Sequence, residues 1–173
     1  PPQAAHNLFL ATQLAIEVPA GGASTPSTGT TNGGGTPRLP QILGHTMNFA
    51  FPQQSLEFAI RDFGQAVNER LPETDFKVEI VGRDLQLAGI TRNQQIRDVS
   101  LTQKTVDEIL TELVHRANPV RTESVSDPEQ KLVWVVSPTS ASTGATLLIT
   151  TRTAAQENGY ELPKQFLANP AKK

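Results

Sequence analysis

The 173-residue sequence contains no cysteine, which excludes disulfide bonds and thiolate chemistry but leaves the cellular compartment open. Aromatic residues make up only 5% of the chain, with one Trp and one Tyr. So few rings argue against a stacking platform for single-stranded nucleic acid. No apolar run approaches the roughly 20 residues that a membrane-spanning helix needs, so direct membrane insertion is not expected.

The charged residues show no strong bias of sign or position. The formal net charge is −2, and the 15 Lys and Arg residues are scattered along the chain. This distribution argues against a nucleic-acid footprint and against a polybasic membrane patch. The hydrophobic fraction of 37%, together with 12 Gly and 13 Pro, predicts a compact core smaller than the full length. Because the first residue is Pro1, we expect a processed product or an excised piece of a longer chain.

Composition divides the chain into four predicted parts. Residues 1–18 mix strand and helix periodicities, so they are interpreted as the end of a preceding domain or as a strand that returns to the sheet. Residues 19–43 are rich in Gly, Ser, Thr and Pro, which predicts a flexible linker. Residues 44–168 form the predicted folded module, and residues 169–173 form a loose tail.

The folded module contains two successive units in which a short strand leads into an amphipathic helix. The first unit is predicted as a strand at 46–51, ended by Pro52, and a helix at 55–71. The second unit is predicted as a strand at 96–101 and a helix at 105–117. The repeated order indicates a weak internal duplication. Each helix has one apolar stripe, so each is expected to cover one face of a small sheet.

The helix at 105–117 shows the clearest pattern in the sequence. Thr105 and Glu108 are spaced as a capping box at its start, and Asn118 with the proline after it ends the helix. Ser55 is the corresponding N-cap of the first helix. Six apolar residues recur at helical spacing and predict the buried stripe: Val106, Ile109, Leu110, Leu113, Val114 and Ala117.

The remaining segments complete a predicted α+β fold. In this fold, two amphipathic helices in repeated β-α units cover a small sheet. An extra C-terminal strand and a short helix follow. In the connection at 82–95, the apolar residues Leu85, Leu87 and Ile90 are expected to tuck against the core. The tail after Asn158 is expected to pack back through Leu162, Phe166 and Leu167. The other predicted elements are strands at 76–81, 120–125, 131–137 and 146–151, and a helix at 153–158 that Gly159 closes.

No arrangement of residues in the sequence predicts catalysis or metal binding. His6, His45 and His115 are too far apart for a recognised metal-ligand spacing, and there is no Gly-x-Ser-x-Gly motif. Asp107 and Glu108 are adjacent, so on a helix they point to different sides and cannot act as a pair. We therefore expect no cofactor and no small-molecule substrate, and an enzyme is the less favoured interpretation.

Two features are candidate protein-binding sites. The strand that carries Trp134 is apolar on both faces, with Leu132 and Val136 on the same face as the ring. A core role for Trp134 is favoured, but at a sheet edge the strand could accept another chain by β-augmentation. Arg83, Arg92 and Arg97 flank the connection at 82–95 and are the candidates for a basic rim, although salt-bridged or solvated arginines are the more common outcome.

Several short motifs in order along the chain resemble a known domain. Phe49, Pro52 and Leu56 match a Phe-x-x-Pro-x-x-x-Leu pattern at the end of an opening strand. An Ala88-Gly89 pair follows the second strand, and a Val-Ser-Leu sequence at residues 99–101 precedes the second helix. Over Met47–Ser137 the chain resembles the short N-terminal domain of secretins and of signal-transducing TonB-dependent receptors.

The resemblance implies a small, non-enzymatic α/β module on the periplasmic side of the outer membrane of a bacterium. It implies that the module docks a protein partner or a copy of itself, as part of an assembly. The alternative that it implies is a signalling module whose surface binds an anti-sigma-type regulator. A one-to-one heterocomplex would favour signalling, whereas a closed ring would favour assembly.

Overall fold

The computed structural model describes residues 38–138 and 145–167. These residues all belong to one compact unit, Gly35–Lys173. The predictions for residues 1–18, for the linker up to residue 37 and for the tail at 169–173 lie outside the described residues.

The described chain has an α+β fold with two small sheets, as the sequence predicted for the class. Strands β1 and β3 form an antiparallel two-stranded sheet. Strand β5 lies at the centre of a three-stranded sheet, parallel to β2 and antiparallel to β4. The elements in chain order are α1 (Leu39–Leu43), β1 (Thr46–Ser55), α2 (Leu56–Arg70), β2 (Phe76–Ile80), α3 (Gly82–Leu87), β3 (Gln95–Thr105), α4 (Val106–Arg116), β4 (Leu132–Val136), β5 (Ala145–Thr151), α5 (Arg152–Glu157) and a 3-10 turn (Lys164–Phe166).

Both predicted β-α units are present, and their helices begin where the caps were expected. The Ser55 hydroxyl accepts a hydrogen bond from the Phe58 N–H at the start of α2. At the start of α4, the capping box between Thr105 and Glu108 is formed. All six residues of the predicted α4 stripe are fully buried. The local pattern therefore fixed both the limits and the buried face of this helix.

Helices α2 and α4 lie between the two sheets, whereas the sequence predicted a single small sheet. Phe63 on α2 makes edge-to-face ring contacts with Phe49 of β1 and with Phe76 of β2, at centroid distances of 5.5 and 6.1 Å. Trp134 of β4 donates a 2.9 Å hydrogen bond from Nε1 to the Thr111 hydroxyl on α4. The helices therefore share one continuous core with both sheets.

The strands of the two-stranded sheet are longer than predicted. Strand β1 continues through Pro52 to Ser55, although we expected Pro52 to end it. Proline lacks an N–H donor, but a two-stranded sheet consists only of edge strands, in which one side of each backbone makes no ladder bonds. Opposite this segment, Asp98 of β3 has a positive φ of 53°, which marks a local irregularity of the pair.

Three predictions about connecting segments were wrong in part. Residues 82–95 contain helix α3, and Leu85 and Ile90 are buried as expected, but Leu87 is 80% exposed. Residues 120–125 form a loop instead of the predicted strand. Phe166 packs into the core, whereas Leu167 is 52% exposed. An isolated apolar residue in a loop or at the end of a short helix gives no periodicity that predicts its burial.

The folded part begins before residue 44, within the segment predicted as linker. Leu39–Leu43 form the short helix α1, and Ile42 is buried in the main core. Pro40 lies in the first turn of this helix, where its missing N–H has no intrahelical acceptor to lose. The sequence did not predict this helix, because the segment 19–43 is mostly Gly, Ser, Thr and Pro and the apolar residues of α1 lie only at its end.

Candidate docking groove beside strand β2

At both edges of the three-stranded sheet, side chains of the chain bond part of the outward backbone. On the β4 edge, the Asn118 side-chain oxygen accepts hydrogen bonds from the N–H groups of Lys131 and Leu132, at 2.8 and 3.1 Å. The Gln130 side-chain amide donates to the Leu132 carbonyl at 2.7 Å. Phe166 then packs edge-to-face on Trp134. At the start of the β4 edge, the outward backbone groups of Leu132 are therefore bonded by side chains of the chain itself.

The β2 edge is closed at one end only. Val81 donates its N–H to the Ile149 carbonyl, so by the two-residue alternation of a strand the backbone groups of Phe76, Val78 and Ile80 point away from β5. The Asn68 side chain satisfies both groups of Phe76, with its Nδ2 donating to the carbonyl at 2.9 Å and its Oδ1 accepting from the N–H at 3.0 Å. This amide occupies the position of a neighbouring strand.

At the other end of β2, the closure is weak. The Arg92 guanidinium donates to the Ile80 carbonyl at 3.5 Å, which is long for a hydrogen bond. Between the two ends, the outward N–H and carbonyl of Val78 have no hydrogen-bond partner among residues 38–138 and 145–167. The side chain of Val78 is half-buried. This short backbone stretch is available for pairing with an extended segment.

A groove of about 440 Å³ runs along this edge, between β2 and the first turns of α2. Ile60 is buried beneath it, while Phe58 stands 50% exposed on the helix wall. The residues that line the groove are Glu57, Phe58, Ile60, Arg61, Val78, Ile80 and Arg92. A groove lined by both apolar and charged residues beside unpaired strand backbone can receive the side chains and the main chain of an extended peptide.

The charged groups of the groove are exposed and weakly paired. The Arg61 guanidinium lies 4.6 Å from the centre of the Phe58 ring, in a cation-π contact, and its Nε is 3.6 Å from Asp62. The Arg92 guanidinium is 4.0 Å from the Glu57 carboxylate, and both side chains are about half exposed. Two guanidinium groups thus flank the groove, and Glu57 is the single acidic residue that lines it.

The structure does not bring the sequence-predicted binding residues together. Trp134 and Leu132 are buried in the core, as was favoured for Trp134, and Val136 is 40% exposed at the end of β4. Arg83 lines a separate cleft between α3 and α5, and only Arg92 lies at the β2 groove. The other residues of the groove were read only as parts of a helix and a strand, because nothing in the sequence states that β2 is an edge strand.

Arg152 is a half-buried charged residue that the sequence did not single out. Its guanidinium donates to four backbone carbonyls of the loop before β4 and of the C-terminal segment: Gln130, Phe166, Val125 and Asp127, at 2.8 to 3.3 Å. Burial lowers the pKa of Arg152, while the charge of Asp127 acts in the opposite direction. This arrangement holds the segment that covers β4, so its role is to position the fold.

A second, polar cleft of about 630 Å³ lies at the C-terminal end of α4. Arg116 is already bonded there, to Glu112 at 2.6 Å and to the carbonyls of Arg97 and Asp98 at 3.1 and 2.9 Å. His115 bonds to Thr122. These contacts bond the side chains of four lining residues and tie the helix end to its neighbours.

Within residues 38–138 and 145–167, no group of three or more His, Asp or Glu side chains is arranged to hold a metal ion. Among the helices described, none has the length and apolar character that crossing a bilayer requires.

Comparison with known proteins identifies no related protein. The chain matches no family model, no curated protein and no solved structure. The likeness to the short N-terminal domain of secretins and TonB-dependent receptors therefore stays a prediction that rests on its motif residues.

Proposed function

We propose that this chain is a non-enzymatic protein-interaction or assembly module of a bacterial cell envelope, and that it receives an extended segment of a partner at the β2 edge. The observation that carries the proposal is the unpaired outward backbone of Val78 beside the groove. Strand addition uses main-chain hydrogen bonds for affinity and neighbouring pockets for selectivity. The β2 edge offers both features within one short stretch.

The location is proposed on the periplasmic side, in association with the outer membrane. The support is the motif resemblance over Met47–Ser137 and the arrangement of two β-α units with their helices between two small sheets. The partner is a different protein or a second copy of the chain.

The decisive variant is Val78→Pro. Because the N–H of Val78 points away from β5, proline at this position removes a donor that the sheet does not use, but it prevents pairing with an added strand. The matched control is Val136→Pro, which makes the same change at an outward position of the β4 edge. Circular dichroism and thermal unfolding should be used to check that both variants keep the fold.

The experiment is crosslinked capture by the full chain from an envelope fraction of a bacterium that expresses it, followed by native mass spectrometry of the complex. We expect the wild type and Val136→Pro to capture the same protein, or to self-associate, and Val78→Pro to lose that species. Equal capture by all three proteins, loss only in Val136→Pro, or a wild type that stays monomeric and captures nothing would overturn the proposal.

A further inference from the structure

We propose that Arg92 selects the segment that docks at the β2 edge, by binding a carboxylate of an acidic side chain in an extended stretch of the partner protein. The inference rests on the proposed function, because it concerns the same groove. Its basis is the weak present bonding of Arg92, the space that Gly82 leaves for it, and the charges around the groove.

The guanidinium of Arg92 makes no strong contact in the described structure. Its Nη2 is 3.5 Å from the Ile80 carbonyl, and its Nη1 is 4.0 Å from Glu57. Arg presents five donors in a planar fork that matches a carboxylate. Most of these donors remain available to a ligand, and the half-exposed side chain can turn toward one.

Gly82, the first residue of α3, leaves the space in which this guanidinium lies. A Cβ atom added to Gly82 would overlap Nη2 of Arg92 and would lie 2.6 Å from its Nε. The φ of Gly82 is not in the left-handed region, so its backbone would accept alanine. The absence of a side chain at Gly82 therefore permits the position of Arg92 over the strand edge.

In its present position, Arg92 blocks the outward carbonyl of Ile80 on the β2 edge through one weak hydrogen bond. Ile80 carries the next outward carbonyl after Val78, so a strand that pairs with both residues must displace the guanidinium. A carboxylate on the docked strand then accepts a charge-assisted hydrogen bond from the displaced Arg92 guanidinium, which replaces the bond lost to Ile80. At the other end, the two bonds from Asn68 to Phe76 stop the pairing, which limits the docked stretch to a few residues.

The charges around the groove agree with an acidic segment. Arg61 and Arg92 both line it, and Glu57 is its single acidic lining residue. An apolar side chain of the docked strand would rest between Val78 and the exposed Phe58 ring. The ligand is therefore an extended peptide with alternating apolar side chains and a carboxylate near the Ile80 end.

The test uses the full chain labelled with ¹⁵N and a heptapeptide, acetyl-Glu-Val-Thr-Val-Thr-Val-Glu-amide, whose two carboxylates make the strand direction irrelevant. The matched peptide replaces both Glu with Gln, and a third peptide carries an N-methyl group on the central Val. We expect the Glu peptide to shift the amide resonances of Val78 and Ile80. The Gln peptide should bind about fivefold more weakly, as for an exposed ion pair, and the methylated peptide should not bind.

Three variants assign the selectivity to Arg92. Arg92→Gln should bind the Glu and Gln peptides equally, whereas Gly82→Ala should keep the preference, because it moves only the flexible end of a side chain that docking displaces anyway. Arg83→Gln, the matched change in a different cleft, should keep the wild-type preference. Equal binding of both peptides to the wild type, or an equal loss in Arg83→Gln, would overturn carboxylate selection and leave edge docking intact. If no peptide shifts Val78, edge docking fails as well.

Discussion

Asn68 and Asn118 occupy equivalent positions in the two β-α units, each thirteen residues after the N-cap of its helix. Each side-chain amide bonds the first residue of the strand that follows, Phe76 of β2 and Leu132 of β4. The internal duplication suggested by the sequence therefore extends to a shared way of closing one end of an edge strand.

Replacing these amides should destabilise the fold. Asn68→Ala leaves two backbone groups without partners and should cost about 1–3 kcal/mol. Asn118→Ala should cost more, because this buried amide makes four backbone hydrogen bonds. Urea unfolding measures both values. Asn93→Ala, at an exposed loop position, should stay within about 0.5 kcal/mol of the wild type, and equal effects of all three would contradict the closing role.

The two sides of α4 should respond differently to truncation. Leu110 is fully buried, so Leu110→Ala should cost about 2–5 kcal/mol through lost burial and a residual cavity. Glu112 contributes an ion pair with Arg116 at the surface, and Glu112→Ala should cost at most about 1 kcal/mol. Denaturant unfolding of both variants under one buffer condition checks this. Similar losses in the two variants would mean that the apolar stripe is not the buried face.

Glu108 should make stability depend on acid pH. The Thr105 N–H and then the Lys104 side chain bond its carboxylate and lower its pKa. Since the folded pKa lies below the unfolded one, this contribution is complete above the unfolded pKa of about 4.5 and is lost as the pH falls through the folded value.

Glu108→Gln should therefore flatten the stability profile below about pH 4.5, as measured by thermal unfolding at a series of pH values. Lys104→Met should keep most of the pH dependence, because the backbone bond is the larger cause. A Glu108→Gln profile parallel to that of the wild type in this range would show that the capping box does not titrate as described.

Arg152 should not be replaceable by lysine. Arg152→Met leaves the four carbonyls without their donor and should cost about 3 kcal/mol. Arg152→Lys keeps the charge but supplies three donors from one point, so it should recover less than half of the loss. Arg121→Met, at an exposed loop position, is the control. Full rescue by lysine in urea unfolding would mean that charge alone is needed.

The sequence by itself determined the elements whose signals are local. The caps at Ser55 and Thr105 and the apolar stripe of α4 are set by spacings of three and four residues, which backbone geometry converts directly into helix limits and a buried face. For the same reason, the two apolar faces of β4 predicted the burial of Trp134.

Only the tertiary structure decided which strands pair and which edges stay open. Pairing joins β2 to β5 across more than sixty residues of chain, and no spacing within either strand specifies its neighbour. The groove forms because the chain turns back after α2, so that β2 lies beside the first turns of α2. Arg92, from the loop between α3 and β3, also lines it. Its chemistry therefore depends on long-range packing, which a sequence pattern of short period does not encode.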